Sequence, residues 1–146
     1  MKLTSTSFAD NAQIPLKYSY KNENISPPLS WSNIPDNTKT FAIILDDPDA
    51  PVGDWSHWII FNIPNNVTHL PESIPRTSYT QGTNDFKKIG YDGPSPPSGT
   101  HRYVFHLYAL DTKLNLTSSA TKQDLLEAMK GHILAETKLT GNYSKS

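Results

Sequence analysis

The chain has 146 residues, with 13 Lys and Arg against 14 Asp and Glu for a formal net charge of -1, and it contains no cysteine. That length fits one domain, whose single core can bury roughly 68 to 70% of the unfolded surface without disulfides or structural metals. The charge balance excludes a basic field for gathering nucleic-acid phosphates, and the missing cysteine excludes a thiolate nucleophile and Cys-ligated zinc.

The opening Met1-Lys2-Leu3-Thr4-Ser5-Thr6-Ser7-Phe8 lacks the apolar run of a secretory leader, so a cytoplasmic chain is expected. No stretch approaches the roughly 20 apolar residues of a membrane span, and no integral membrane association is expected. Twelve prolines and seven glycines separate short apolar runs along the chain, the punctuation of a β-sandwich. Phe41-Ala42-Ile43-Ile44-Leu45 is apolar throughout, which predicts a central strand covered on both faces, and Trp58-Ile59-Ile60-Phe61 reads the same way. Between Asn62 and Gly90 the sequence is polar, with Pro64, Pro71 and Pro75, and a connection that long predicts a functional rim or lid. From His101 to Leu110, alternation places His101, Tyr103, Phe105 and Leu107 on one strand face and Arg102, Val104, His106 and Tyr108 on the other. Thr121 then supplies a capping hydroxyl, Asp124 follows three residues on, and Leu125, Leu126, Met129 and Ile133 recur at helical spacing. These predict an amphipathic helix from about Lys122 to Lys138, with Gly131 inside it at a cost of about 1 kcal/mol and Gly141 ending it or the following turn. The expected fold is a mainly β domain with a late helix.

Two segments concentrate chemistry. Asp46-Asp47-Pro48-Asp49-Ala50-Pro51 closes the Phe41 strand, and Trp55-Ser56-His57-Trp58 opens the next, so carboxylates at one strand end can meet a histidine at its neighbour's start. Asp47 and Asp49 share a face in extended geometry, with prolines stiffening the turn and removing amide donors. Gly90-Tyr91-Asp92-Gly93-Pro94-Ser95-Pro96-Pro97-Ser98-Gly99-Thr100-His101-Arg102-Tyr103 is a stiff loop running into a strand. Pro94, Pro96 and Pro97 donate nothing, so any ligand amides come from Gly93, Ser95, Ser98, Gly99 or Thr100. Two His and two Asp also suit a divalent metal, although they match no compact ligand motif. A weak hydrolase would use Ser56, Ser95 or Ser98 with His57 or His101, but no Gly-x-Ser-x-Gly elbow is present. His69, His106 and His132 carry no pattern that assigns them a role.

Both segments, with Ile25-Ser26-Pro27-Pro28-Leu29-Ser30-Trp31 and Gly131-His132-Ile133-Leu134-Ala135, resemble the phosphatidylethanolamine-binding protein family, also called Raf-kinase-inhibitor-like proteins, over nearly the whole chain. The short link from the Asp47 to Pro51 pentapeptide to His57 is similar to the bacterial and archaeal branch. The resemblance implies a Greek-key antiparallel β-sandwich with a C-terminal helix, whose one small pocket binds phosphate or phosphorylated head groups without a cofactor or bound metal. It places Asp47, His57 and His101 in that pocket, with Tyr91, Gly93, Pro97 and Tyr103 nearby and Asp49 serving ligand or loop. It further implies a binding protein that is not an enzyme, able to regulate a partner, or alternatively a direct inhibitor of a protein kinase or protease, and a homodimer. Only Ser144, Lys145 and Ser146 follow Tyr143, so closure of the pocket by the longer C-terminal helix of animal members is not expected. A carboxylate beside an imidazole favours its protonated, two-donor form, so Asp47 is expected to orient or charge a histidine that then holds an anion with loop amides.

Overall fold

A computed structural model describes residues 1–145. The strands are β1 (Lys2–Thr4), β2 (Ala12–Gln13), β3 (Leu29–Ser32), β4 (Thr40–Asp47), β5 (Trp55–Pro64), β6 (His69–Leu70), β7 (Thr80–Gln81), β8 (Thr100–Leu110) and, after helix α1 (Lys122–Met129), β9 (Ile133–Ser144). They form a three-stranded sheet in the order β1-β3-β6 and a six-stranded sheet in the order β2-β9-β8-β4-β5-β7. All pairings are antiparallel except β2 with β9. This is a mainly β sandwich with one helix.

The apolar run of β4 splits between two cores. Phe41, Ile43 and Leu45 face the smaller sheet, where they pack with Leu3, Leu29, Trp31 and Leu70. Trp31 meets Phe41 edge-on across the layers at 5.4 Å. Ala42 and Ile44 face the other way, joining Ile59, Phe61, Tyr108 and Leu110 beneath Leu125 and Met129 of α1. Period-two alternation on a strand buried on both sides produces this division. In β8, Tyr103, Phe105 and Leu107 enter the inter-sheet core and Tyr108 the helix-side core, matching the expected alternation.

The helix begins as expected and ends early. Thr121 Oγ1 accepts the Asp124 amide while Asp124 Oδ2 accepts the Thr121 amide, a reciprocal cap. It stops at Met129, not near Lys138, and Ile133 to Lys138 lie in β9 instead. Gly131 turns the chain at a φ of +79°, a conformation that L residues with a Cβ resist. The backbone of β9 then pairs with β8 from Leu110 to Thr100. That ladder satisfies donors and acceptors over twelve residues, which outweighs a helical spacing that rested on Ile133 alone. The chain therefore closes on a strand with the helix before it, and Ile133 is exposed.

At the end of β4, Asp46 and Asp47 point to opposite sheet faces. Asp46 faces α1, where Lys122 Nζ donates to Oδ2 at 2.7 Å and His106 Nε2 lies 3.1 Å from Oδ1. Burial pushes the Asp46 carboxyl up, but the His106 and Lys122 hydrogen bonds outweigh it and leave the pKa below the usual value. His106, with no role evident in the sequence, thus helps hold the helix start to the central strand. Among the described residues no peptide bond is cis, and no helix is long and apolar enough to cross a membrane.

Leu125 is fully buried and Leu126 only partly. Leu125→Ala is expected to cost about 2 to 5 kcal/mol in urea denaturation, while Leu126→Ala costs clearly less. Equal losses would contradict this helix orientation.

Candidate functional site

Asp47 on the other face of β4 borders a cavity of 260 Å³, lined also by Ala50, Pro51, Val52, Trp55, His57, Phe86, Ser95 and Pro97. Apolar walls with a few convergent polar groups are the usual make-up of a small-molecule site. Three segments build it. The turn after β4 supplies Ala50, Pro51 and Val52 and closes through a hydrogen bond from Gly53 N to Ala50 O of 3.0 Å. The start of β5 supplies Trp55 and His57, and the loops before β8 supply Phe86, Ser95 and Pro97.

A β-bulge places His57. Leu45 pairs with Trp58 and the next residue, Asp46, pairs with Ser56, so His57 is the extra residue. Strict alternation from Trp58, which faces the inter-sheet core, would send His57 to the helix side. The bulge turns it back toward Asp47, and its ring packs edge-on against Phe86 and Tyr103, each at 5.3 Å. His57 is 2% exposed. Its Nδ1 lies 2.8 Å from the backbone carbonyl of Asp92. A carbonyl only accepts, so Nδ1 carries the hydrogen and Nε2 is the free ring atom. Burial pulls the His57 pKa below its ordinary value, against the raising influence of the Asp92 carbonyl and of Asp47. At neutral pH His57 is therefore neutral, and the protonated form expected from a neighbouring carboxylate does not apply to it.

The histidine that Asp47 holds is His101. Its Nδ1 donates to Asp47 Oδ2 at 2.6 Å, while Asp47 Oδ1 accepts the Asp49 amide at 2.8 Å. His101 stands behind the carboxylate and outside the cavity wall. Tyr103 lies between the two imidazoles, stacked on His101 at 6.5 Å, and its buried hydroxyl has no hydrogen-bond partner among the described residues. Burial, then the charge of Asp47, pushes the Tyr103 pKa far up, so it remains a protonated donor.

Other residues singled out in the sequence are placed differently. Asp49 turns away to Arg102, accepting its Nε at 2.9 Å, its NH2 group at 2.8 Å and its backbone amide at 2.8 Å. These bonds, the side-chain ones foremost, hold the Asp49 carboxyl down to about 2. Asp49 thus serves the turn and lies off the cavity. Tyr91 is a core residue whose hydroxyl donates to Tyr18 O at 2.7 Å and whose ring meets Trp58. Gly93 acts through backbone geometry, because a Cβ there would collide with the Tyr18 carbonyl. Its amide is spent on Asn24 Oδ1 at 2.7 Å, which removes it from the ligand donors. Of the candidates, Asp47, His57 and Pro97 line the cavity directly, and His101 and Tyr103 back it.

Sequence reasoning missed Phe86 and Asn84 as named residues, although both lie in the Asn62 to Gly90 segment expected to form a rim. Trp31, Trp55 and Trp58 read in the sequence as core or pocket wall, and Trp55 does line the cavity while Trp31 and Trp58 are core residues. Asp92 lay unremarked inside the Gly90 to Tyr103 loop. Among the described residues no three His, Cys, Asp or Glu side chains gather closely enough to hold a metal ion. Of the serines offered as nucleophiles, Ser95 lines the same cavity as His57, while Ser56 is buried and its hydroxyl has no hydrogen-bond partner among the described residues.

Comparison with known proteins returns this β-sandwich fold. The family model of phosphatidylethanolamine-binding proteins matches residues 4–144, and the chain belongs to that family. It is 51% identical to a UPF0098 protein of Methanothermobacter thermautotrophicus, covering 99% of each chain. Among solved structures, the Chlamydia trachomatis phosphatidylethanolamine-binding protein homologue CT736 superposes with a TM-score of 0.93 at 44% identity, over 99% of this chain and 97% of that one. YbcL of E. coli gives a TM-score of 0.93 at 32% identity, over 99% and 98%.

The His57 shift has a consequence for stability. A histidine whose folded pKa is depressed contributes stability that is present above its unfolded value of about 6.5 and is lost as pH falls through the folded value. Thermal melts of the wild type are expected to drop below about pH 6.5, and His57→Gln is expected to remove part of that drop. An unchanged acid limb in His57→Gln would contradict a buried neutral imidazole.

Proposed function

We propose that the protein binds a small phosphorylated group in the Asp47–His57 cavity and takes up a proton as it does so. The observation that carries this reading is the pairing of a carboxylate with a neutral histidine on the floor of a cavity whose walls are apolar apart from Ser95. Asp47 Oδ atoms and His57 Nε2 are acceptors, and an anion placed against acceptors alone is repelled. One proton, on Nε2 or on a phosphate oxygen, converts the floor into an acceptor–donor pair that a phosphate matches. The family takes its name from phosphatidylethanolamine, and the phosphorylated head group is the ligand class we carry to this chain.

The reading is of a binding protein and not of an enzyme. The largely apolar walls suit shape recognition of a bound group. Ligand binding of this kind can bias a partner protein only through a difference in affinity between the partner-bound and free forms.

Calorimetric titration with inorganic phosphate, repeated in buffers of different ionisation enthalpy, tests the proposal. About one proton is expected to be taken up near pH 7, and affinity is expected to rise by up to about tenfold per pH unit on acidification until the floor is protonated. Binding that is flat between about pH 5 and pH 8, with no proton uptake, would overturn it.

A further inference from the structure

Asp92 has no exposed surface, yet it does not line the cavity and its carboxylate touches no ligand-facing atom. A buried carboxylate is costly unless it is hydrogen-bonded and paired. Here Asn24 Nδ2 donates to Oδ1 at 2.9 Å and Asn84 Nδ2 donates to Oδ2 at 2.7 Å. Arg76 and Lys88 face the same carboxylate at 3.6 and 3.9 Å from the surface side. The same residue brackets His57 through its backbone. Asp92 O accepts the Nδ1–H at 2.8 Å, and Asp92 N donates to His57 O at 3.1 Å.

The two asparagines extend this clamp to the surrounding loops. Asn24, in the left-handed region at a φ of +56°, also accepts the Gly93 amide, fixing the peptide that follows Asp92. Asn84 donates to Gly90 O at 3.0 Å and accepts the amides of Phe86 and Lys88 at 2.9 and 3.2 Å. One carboxylate thus ties together the peptide that holds His57 and the segment that carries the cavity wall residue Phe86.

We propose that Asp92 is the positioning residue of the cavity: its clamped carboxylate fixes the peptide that takes the Nδ1 hydrogen of His57, and so keeps Nε2 as the ring atom offered to a ligand. The side chain acts at one remove, since the bond to the ring comes from its backbone. This inference rests on the phosphate reading only for the purpose of the offered nitrogen, because the tautomer is a property of the free protein. The groups that face His57 are Asp47, the Asp92 and Gly93 backbone, and the rings of Phe86 and Tyr103. Of these, the Asp92 carbonyl is the one within hydrogen-bond distance of Nδ1, at 2.8 Å.

The test is heteronuclear NMR of the imidazole nitrogens at about pH 7.5, above the His57 titration, for the wild type, Asp92→Asn and Asn24→Ala, each also titrated with inorganic phosphate. Melting curves report whether each variant is folded, and Asn24→Ala, which removes a single donor, serves if Asp92→Asn does not fold. Wild-type His57 is expected as the pure Nδ1–H tautomer, with both variants giving a mixture and phosphate binding weakened about tenfold, the scale of losing a group that orients a ligating histidine. A pure Nδ1–H tautomer retained in the folded variants, or an Nε2–H tautomer in the wild type, overturns the positioning role. If the variants mix tautomers but the wild type binds no phosphate, Asp92 still positions His57 and the phosphate reading is what fails.

Discussion

Burial of β4 on both faces is the constraint from which the rest of the molecule follows. Phe41, Ile43 and Leu45 serve the inter-sheet core, and Ala42 and Ile44 serve the helix-side core. A strand covered twice can neither slip nor turn without exposing one set of side chains to water. The same alternation continues into Asp46 and Asp47, where apolar cover ends and two carboxylates emerge on opposite faces. One locks α1 through Lys122, and the other becomes the floor of the cavity. Fold stability and site geometry thus share a single strand, with the site beginning where the hydrophobic run stops.

Most of the cavity's polar capacity is committed before any ligand arrives. Asp47 accepts the Asp49 amide on one oxygen and His101 on the other, which leaves each a further lone pair, while His57 is tied at Nδ1 to the Asp92 peptide. The remaining atoms are fixed in place by bonds that do not involve ligand, which is the meaning of a preorganised site. Burial adds the chemical character: it disfavours the charged form of His57, and in the reading proposed above an anion would arrive with a proton.

The fold was legible where burial imposes a pattern. The apolar run at Phe41 to Leu45, the alternation from His101 and the capping hydroxyl of Thr121 each reflect a local rule, and the structure follows them. The helix end was misread because Ile133 continues a helical spacing while the decisive contribution, pairing of β9 along all of β8, is non-local. The site was legible to the extent that its residues sit in dense motifs at strand ends, as Asp47 and His57 do. The bulge that aims His57 left no mark, since a one-residue excess exists only in the register between two strands. The partnership of Asp49 with Arg102, and that of Asp92 with Asn24 and Asn84, join residues up to 68 positions apart in the chain and emerge only with the tertiary structure.

The central claim is that the floor of the cavity is short of one proton. Its most direct test is the titration of His57 followed by NMR, in the free protein and under saturating phosphate. The account predicts a pKa below about 6.5 in the free protein and a clear rise on saturation. An ordinary value in the free protein, or one unmoved by phosphate, would contradict it.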